Sequence, residues 1–328
     1  MKYSVIIPCY NAEEFILRPL TSLKDQLYKN IEIIVVNDGS VDKSEEVILD
    51  FIKNNPKLDI KYQRIENSGP SKARNTGIDL STGDYICFLD SDDSYDIHLF
   101  EEVEKIITPE DEIIYWGYDV VDENGKLIRH YSDVFKYIGD VSGIEIAKKK
   151  YFKEVWLHTC TTLYKASLIK DNNLRYIEGV YLGEDANFIY KALFNAKNVK
   201  VLPNNYYYNV YRSNSLMHSN FSDKFLTEFK AIENTLEYIK ENNIPDVYDY
   251  FYSLYYYTQC TVAKTMIKSL KGSQGFKFAK MARQYIPKIK KRKPLYLNKK
   301  QKLEMRIYRF SKVFFFCFVK IYYKTHKK

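Results

Sequence analysis

The sequence predicts an α/β protein with a mostly parallel sheet flanked by helices, followed by an all-helical C-terminal region. Strand-like apolar runs alternate with helical patterns between residues 3 and 89, and polar clusters follow several of these runs. After residue 222 the strand-like pattern gives way to long helical ones. Alternation of this kind builds a parallel sheet with right-handed crossovers and helices on both faces.

The first elements follow from apolar periodicity and from turn residues. Strands are predicted at 3–9, 31–36, 60–65 and 85–89, with helices at 13–26, 42–54 and 70–78 between them. Asn11 is the expected cap of the first helix, because a short polar side chain can accept from the backbone of a first turn.

The remaining elements divide the chain into two predicted domains, 1–218 and 219–328. Strands are expected at 112–118, 159–164, 199–202 and 206–211, and helices at 144–152, 165–171, from 184, and at 223–242, 246–270, 273–285 and 300–322. The long helices of the second domain carry no motif that indicates a function.

The cysteines and the apolar segments indicate the cellular compartment of the protein. The five cysteines have no paired spacing, which argues against a disulfide framework or a zinc site and fits a reducing, cytoplasmic compartment. The chain reaches Pro8 too soon for a signal peptide. The longest apolar stretch, 313–323, is too short to span a membrane as a helix.

An acidic cluster follows the fourth predicted strand, in the stretch 88–93. In extended backbone Asp90 and Asp92 point the same way, and adjacent carboxylates repel unless a cation or donor lies between them. Oxygen ligands suit Mg²⁺ or Mn²⁺, often shared with substrate phosphates. The alternative is an acidic turn after a strand, with no ligand.

Two further polar clusters, 9–11 and 37–40, also follow predicted strands. Ligands of parallel sheets bind at the carboxyl ends of the strands, so the three clusters predict a ligand with a base, a ribose and phosphates. Neither G-x-G-x-x-G after the first strand nor G-x-x-x-x-G-K-[ST] is present, which argues against a dinucleotide fold and a P-loop.

Five segments together resemble bacterial family 2 glycosyltransferases. These enzymes have the GT-A fold and invert the configuration at the anomeric carbon of the sugar that they transfer. They are Ser4-Val-Ile-Ile-Pro-Cys-Tyr-Asn11, Val36-Asn-Asp-Gly-Ser40, Gly69-Pro-Ser-Lys-Ala-Arg-Asn-Thr-Gly77, Phe88-Leu-Asp-Ser-Asp-Asp93 and Gly183-Glu-Asp185. The resemblance covers roughly residues 1–215. It implies a metal-dependent enzyme of surface-polysaccharide synthesis.

The resemblance also implies roles for particular residues. Asp185 is the expected general base, Asp92 with Asp90 the expected metal ligands, and Arg74 the residue that steadies the first aspartate or the diphosphate. The expected donor-binding set is Pro8, Tyr10, Asn11, Asp38, Arg74, Asp90, Ser91, Asp92, Arg212 and Ser215. Within it, Pro8, Tyr10 and Asp38 resemble the nucleobase pocket, with Tyr10 stacking on uracil. Arg212 and Ser215 resemble a segment that closes on the phosphates, or they belong to a surface loop. His218 is an alternative metal ligand.

The function expected from this resemblance is inverting transfer from a UDP-sugar to a hydroxyl of a saccharide or lipid-linked saccharide. One alternative is a catalytically silent scaffold that binds sugar nucleotides. Another is a sugar-1-phosphate nucleotidyltransferase, but that class expects a Gly-rich basic loop where this chain has Cys-Tyr-Asn-Ala-Glu-Glu. The variable loops 120–160 and 175–183 are expected to set specificity. Trp156 and His158 either line the acceptor cleft or, for the tryptophan, belong to the core.

The predicted helix 300–322 places apolar residues at helical spacing, beside many basic ones. They are Leu303, Ile307, Phe310, Phe314 and Cys317, and a basic run at 288–293 precedes them. This pattern is typical of a helix that lies on an anionic membrane surface. We therefore expect peripheral contact with the inner face of the cell membrane and no nucleic-acid partner. The alternative is packing within its own domain or against a second copy in a homo-oligomer.

Overall fold

The computed structural model describes residues 1–211, 221–270, 272, 274–287 and 294–325. These residues form two compact units. The first unit contains Met1–Gly179 and Asp185–Ser213, and the second contains Val180–Glu184 and Asn214–Lys328. The predicted residues Arg212, Ser215 and His218, and the basic run 288–293, lie outside the described residues.

The first unit is built on one mixed sheet. Its strands among the described residues are β1 Tyr3–Cys9, β2 Ile31–Asn37, β3 Asp59–Arg64, β4 Tyr85–Phe88, β5 Ser94–Tyr95, β6 Ile113–Val121, β7 Leu127–His130, β8 Thr162–Lys165 and β9 Val199–Val210. The order is β3-β2-β1-β4-β8-β6-β9-β5, and β7 pairs with β6. The pairs β1–β2, β2–β3 and β1–β4 are parallel, which confirms the sheet predicted for the first half of the chain.

Seven helices accompany this sheet in the chain. They are α1 Leu17–Lys24, α2 Ser44–Asn54, α3 Pro70–Leu80, α4 Leu99–Ile106, α5 Gly143–Tyr151, α6 Ala166–Asp171 and α7 Glu184–Asn195, counted over the described residues. Strands β1, β2 and β4 are buried along almost their whole length, as expected for strands covered on both faces. Helix α3 packs very close to β1. A Cβ at Gly77 would lie only 2.3 Å from the Ile6 side chain, so this position requires glycine.

The register of the central strands brings their carboxyl ends together. Cys9 lies opposite Asn37 across β1 and β2, and Ile6 lies opposite Phe88 across β1 and β4. The polar residues that follow these strands therefore emerge at one edge of the sheet, as the sequence predicts.

Several boundaries differ from the expectation. The first helix begins at Leu17, and Asn11 does not cap it: its backbone has a φ of +48°, and its Oδ1 accepts from the Val41 amide at 2.9 Å. Residues 159–161 form a 3₁₀ turn that leads into β8, and the two short strands expected after residue 199 are one bulged strand, β9. The periodicity of neighbouring residues does not predict these features, because they depend on hydrogen bonds between residues far apart in the sequence.

The second unit is helical, with α8 Thr227–Glu241, α9 Pro245–Ser269, α10 Gly275–Tyr285, α11 Lys299–Phe310 and α12 Lys312–Thr325. Its core includes Cys260, Met266, Phe278, Phe315 and Phe316. The predicted helix 300–322 is in fact two helices, because Ser311 has extended backbone, with φ −153° and ψ 121°.

Helix α12 is apolar on two sides. Phe315, Phe316 and Val319 are buried in the helical core, whereas Phe314 and Ile321 are exposed. The predicted stripe of Leu303, Ile307, Phe310, Phe314 and Cys317 therefore lies mainly on the exposed side, with Ile307 partly buried, and other apolar residues form the packed face. Among the described residues, no helix is both long enough and apolar enough to cross a membrane.

Candidate active site

A buried guanidinium joins the two carboxylates that the sequence singles out. Arg74 donates through Nη2 to Asp90 Oδ1 at 3.0 Å and reaches Asp185 Oδ1 from Nη1 at 3.4 Å. Its side chain is 7% exposed, and its guanidinium lies 5.3 Å from the centre of the Tyr176 ring. Residues far apart in the sequence thus meet at one cation.

Burial opposes the charge of Arg74, but Asp185 and Asp90 more than offset this, so its pKa lies above the usual value. For Asp90, burial would raise the pKa, but the neighbouring Arg74 holds it below the usual value. Both groups are therefore charged at neutral pH. Arg74 Nε has no hydrogen-bond partner within the described part of the chain.

Helix α3 positions this arginine. Gly69 precedes the helix with a φ of +90°, which favours glycine, and Pro70 opens the first turn. Both oxygens of Asp38 hold this turn, since Oδ1 accepts from the Ser68 amide and Oδ2 from the Gly69 amide, each at 2.8 Å. Asp38 therefore has a structural role in addition to the expected base contact.

The three aspartates in the loop after β4 differ in how far they are exposed. Asp90 and Asp92 are partly exposed, whereas Asp93 is buried. Asp93 Oδ1 accepts from the Val210 amide at 2.7 Å, and its Oδ2 accepts from the Tyr207 hydroxyl. Burial, together with the nearby charges of Asp92 and Asp90, raises the pKa of Asp93 to about 8. Asp93 thus ties the acidic loop to the end of β9.

The donor atoms at this loop fit a divalent ion that is shared with a substrate. Within the described residues there is no group of three His, Cys, Asp or Glu side chains placed to hold an ion alone. Asp90 and Asp92 would supply two carboxylates, and Mg²⁺ in phosphate-processing sites commonly takes only one or two from the protein. Asp93 is bonded elsewhere and is not part of this set.

Four more of the expected donor-binding residues, all within the described part of the chain, lie at the same edge of the sheet. Tyr10 is 49% exposed, so its ring is accessible to a planar ligand. Pro8 and Ser91 are partly exposed. Asn11 is exposed, and its amide donates to Ser40 Oγ at 3.0 Å, which links the loops after β1 and β2.

Asp185 lies in the first turn of α7, directly after Gly183-Glu184. Gly183 has a φ of +85°, which explains the glycine at this position. The helix N-terminus favours an acidic residue here by its dipole alone, but the contact with Arg74 also places Asp185 beside Asp90.

The sequence analysis did not single out Lys150, which lies beside Trp156. Lys150 on α5 is buried, its Nζ donates to the Leu157 carbonyl at 3.0 Å, and it lies 3.9 Å from the Trp156 ring centre. Burial lowers its pKa to about 7, although the charge of Asp185 opposes this shift. Trp156 is partly buried and stacks on Phe135, with ring centres 5.9 Å apart.

Known proteins match a large part of this chain. A model of "Glycosyl transferase family 2" matches residues 4–172. An uncharacterized glycosyltransferase, EpsJ of Bacillus subtilis, is 31% identical over 213 residues, which are 64% of this chain and 61% of EpsJ. The Staphylococcus aureus poly(ribitol-phosphate) β-N-acetylglucosaminyltransferase TarS is 29% identical over 225 residues, or 63% of this chain and 35% of TarS.

Solved structures share the fold at low sequence identity. The structure of S. aureus TarS 1–349 in complex with UDP-GlcNAc has a TM-score of 0.71 at 22% identity, covering 99% of this chain and 92% of that one. The mannosyltransferase PcManGT from Pyrobaculum calidifontis, in complex with GDP-Man and Mn²⁺, has a TM-score of 0.56 at 13% identity, covering 100% and 88%. The GT-A-like fold expected from the motifs is confirmed.

Proposed function

Because the chain belongs to glycosyl transferase family 2, we propose that it transfers a hexosyl or N-acetylhexosaminyl group from a UDP-sugar to a saccharide hydroxyl, with inversion. The acceptor is a free or lipid-linked saccharide of a cell-surface polymer. The UDP-GlcNAc bound by TarS, which has the same fold, supports the choice of donor.

The double ion pair of Arg74 is the observation that carries this proposal. Asp90 and Asp185 both pair with one buried guanidinium. Asp90 is on the expected diphosphate side, and Asp185 is the expected base. Transfer with inversion needs a leaving diphosphate on one face of the sugar and a proton acceptor on the other. A shared cation fixes the separation between the two carboxylates and thereby the space for the sugar.

The residues of the chain then have separate tasks. Asp185 accepts the proton of the acceptor hydroxyl as that oxygen attacks the anomeric carbon. Arg74 holds Asp185 and Asp90 in place and contributes positive charge beside the leaving group. Tyr10 and Asp38 hold the uracil. Asp90 and Asp92 would hold a divalent ion, which would neutralise the charge that develops on the diphosphate.

We further propose that the second unit contacts the inner face of the cell membrane. Helix α11 exposes Lys299, Lys302 and Arg306 beside the apolar residues Leu303 and Phe310. A basic and apolar surface of this kind is complementary to an anionic bilayer, where a lipid-linked acceptor would reside.

UDP release from a panel of UDP-sugars, with Mn²⁺ or with EDTA, tests the enzymatic proposal. We expect one sugar to support release that depends on Mn²⁺ and rises when cell-envelope lipid is added. Binding of UDP-sugars without release from any of them would instead favour the catalytically silent binding protein.

A further inference from the structure

His158 is held rigidly at the edge of the candidate site. It precedes the 3₁₀ turn 159–161, and its Nδ1 accepts from the Cys160 amide at 3.2 Å. Its ring also stacks on Tyr207, with ring centres 5.7 Å apart and planes inclined by 23°. Tyr207 in turn bonds to Asp93 of the acidic loop. One bond and one stacked ring therefore fix the orientation of the imidazole.

This arrangement also fixes where the imidazole carries its proton. A nitrogen that accepts from a backbone amide has a free lone pair, so in the neutral ring the hydrogen is on Nε2. Within the described residues Nε2 has no hydrogen-bond partner. His158 is partly exposed as a residue. A contact with a ligand requires that this exposed part include Nε2.

The charged groups that act on His158 are those of the candidate site. They are Asp90, Asp185, Arg74 and Lys150. Asp90 is at the expected diphosphate end, and Asp185 is the expected base. A sugar in transfer lies between those two ends, because the base takes its proton from the hydroxyl that attacks the anomeric carbon.

Lys150 stabilises the segment that leads to His158. Its ammonium donates to the carbonyl of Leu157, the residue directly before the histidine, and lies over the ring of Trp156. The chain before His158 is thus held by a buried cation, and the chain after it is held by the turn. This degree of support is typical of a side chain that must present a donor in one place.

We propose that His158 binds the transferred sugar, donating a hydrogen bond from Nε2 to one of its hydroxyl or carbonyl oxygens. The assignment rests on the proposed transfer from a UDP-sugar. It makes His158 a residue that distinguishes a UDP-sugar from UDP, whereas the base pocket and the metal ligands bind both.

Two substitutions separate this role from helix capping. In His158→Asn, the short amide oxygen can still accept from the Cys160 amide, since Asn is a good cap, but no donor reaches the position of Nε2. In His158→Gln, the longer amide places an N–H group near that position and caps poorly. A ligand contact predicts that Asn is the more harmful change, and a purely structural cap predicts that Gln is.

The test measures binding of UDP and of the UDP-sugar that gives the fastest release in the panel, by calorimetry with Mn²⁺ and the full chain. For His158→Asn we expect about tenfold weaker UDP-sugar binding and unchanged UDP binding. His158→Gln should lie closer to wild type. Unchanged UDP binding also shows that the variants are folded.

Three results would overturn the assignment. UDP-sugar binding by His158→Asn at the wild-type level would exclude a contact with the donor sugar. Normal donor hydrolysis with impaired transfer would place the contact on the acceptor instead. If the wild-type protein releases UDP from no donor, the proposed transfer itself fails, and the assignment fails with it.

Discussion

A cluster of charged side chains in each unit differs in how far its carboxylates are exposed. In the first unit Arg74 meets Asp90 and Asp185 at the edge of a sheet, and both carboxylates remain partly exposed. In the second unit Glu304 is buried and accepts from Tyr257 and Lys264 within the helical packing. Asp90 and Asp185 are 30% and 36% exposed and can still reach a ligand, whereas Glu304 is 4% exposed. The chemistry should therefore depend on the first unit.

The largest effect is expected at Asp92. Asp92→Ala removes an expected metal carboxylate, so it should abolish transfer and Mn²⁺-dependent UDP binding while the fold is retained, as measured by UDP release, calorimetry and circular dichroism. Asp79→Ala, which breaks only the exposed 2.8 Å pair with Arg175, is the matched control and should be nearly neutral. Full activity of the wild-type protein in EDTA would contradict the metal proposal.

The next effect is expected at the base. Asp185→Asn keeps the size of the side chain but cannot accept a proton at neutral pH. Turnover should fall by about 10²-fold or more, with nearly unchanged affinity for the UDP-sugar, in steady-state kinetics and calorimetry. Glu184→Gln is the adjacent control. If Asp185→Asn is active and Glu184→Gln is inactive, the assignment of Asp185 as the base is wrong.

Continuous apolar runs that alternate with helical patterns predicted the parallel strands and the helices between them up to residue 89, because strands buried on both faces are distinctive. The short strands β5 and β7 and the helix α4 were not predicted. The expected donor-binding roles of Asp38 and Arg74 came only from the family resemblance. Lys150 was missed because it ends a run of three lysines that reads as solvent-exposed, and only tertiary packing buries one of them. The break at Ser311 was missed because serine does not itself end a helix.

A neighbouring pair on α12 tests whether the second unit is held by its helical core. Phe315 is fully buried, whereas the adjacent Phe314 is 58% exposed. Phe315→Ala should lower the free energy of unfolding by about 3–5 kcal/mol, since it leaves a cavity. Phe314→Ala should change it by less than about 1 kcal/mol. Urea unfolding of the full chain measures both, and equal losses would contradict the burial pattern.

The smallest effect is expected at the exposed face of α11 and α12. Phe310, Phe314 and Ile321 are 88%, 58% and 63% exposed, so replacing all three with serine should leave stability unchanged. Co-sedimentation with anionic phosphatidylglycerol vesicles at low salt should fall several-fold, because an interfacial helix binds through its apolar face. Deleting both helices is a poorer test, since it would also remove Phe315 and Phe316 from the core.

The matched control for this face lies in the first unit. Leu127, Ile128 and Val134 are 43%, 54% and 53% exposed, and their replacement by serine should not change vesicle binding. Added salt should weaken binding of the wild-type protein, because each basic residue near an anionic surface contributes about 1 kcal/mol that ions screen. Equal losses in both triple variants would contradict the membrane proposal. If the α11–α12 variant instead converts a dimer to a monomer in analytical ultracentrifugation, with vesicle binding unchanged, this face is an interface between two copies of the chain.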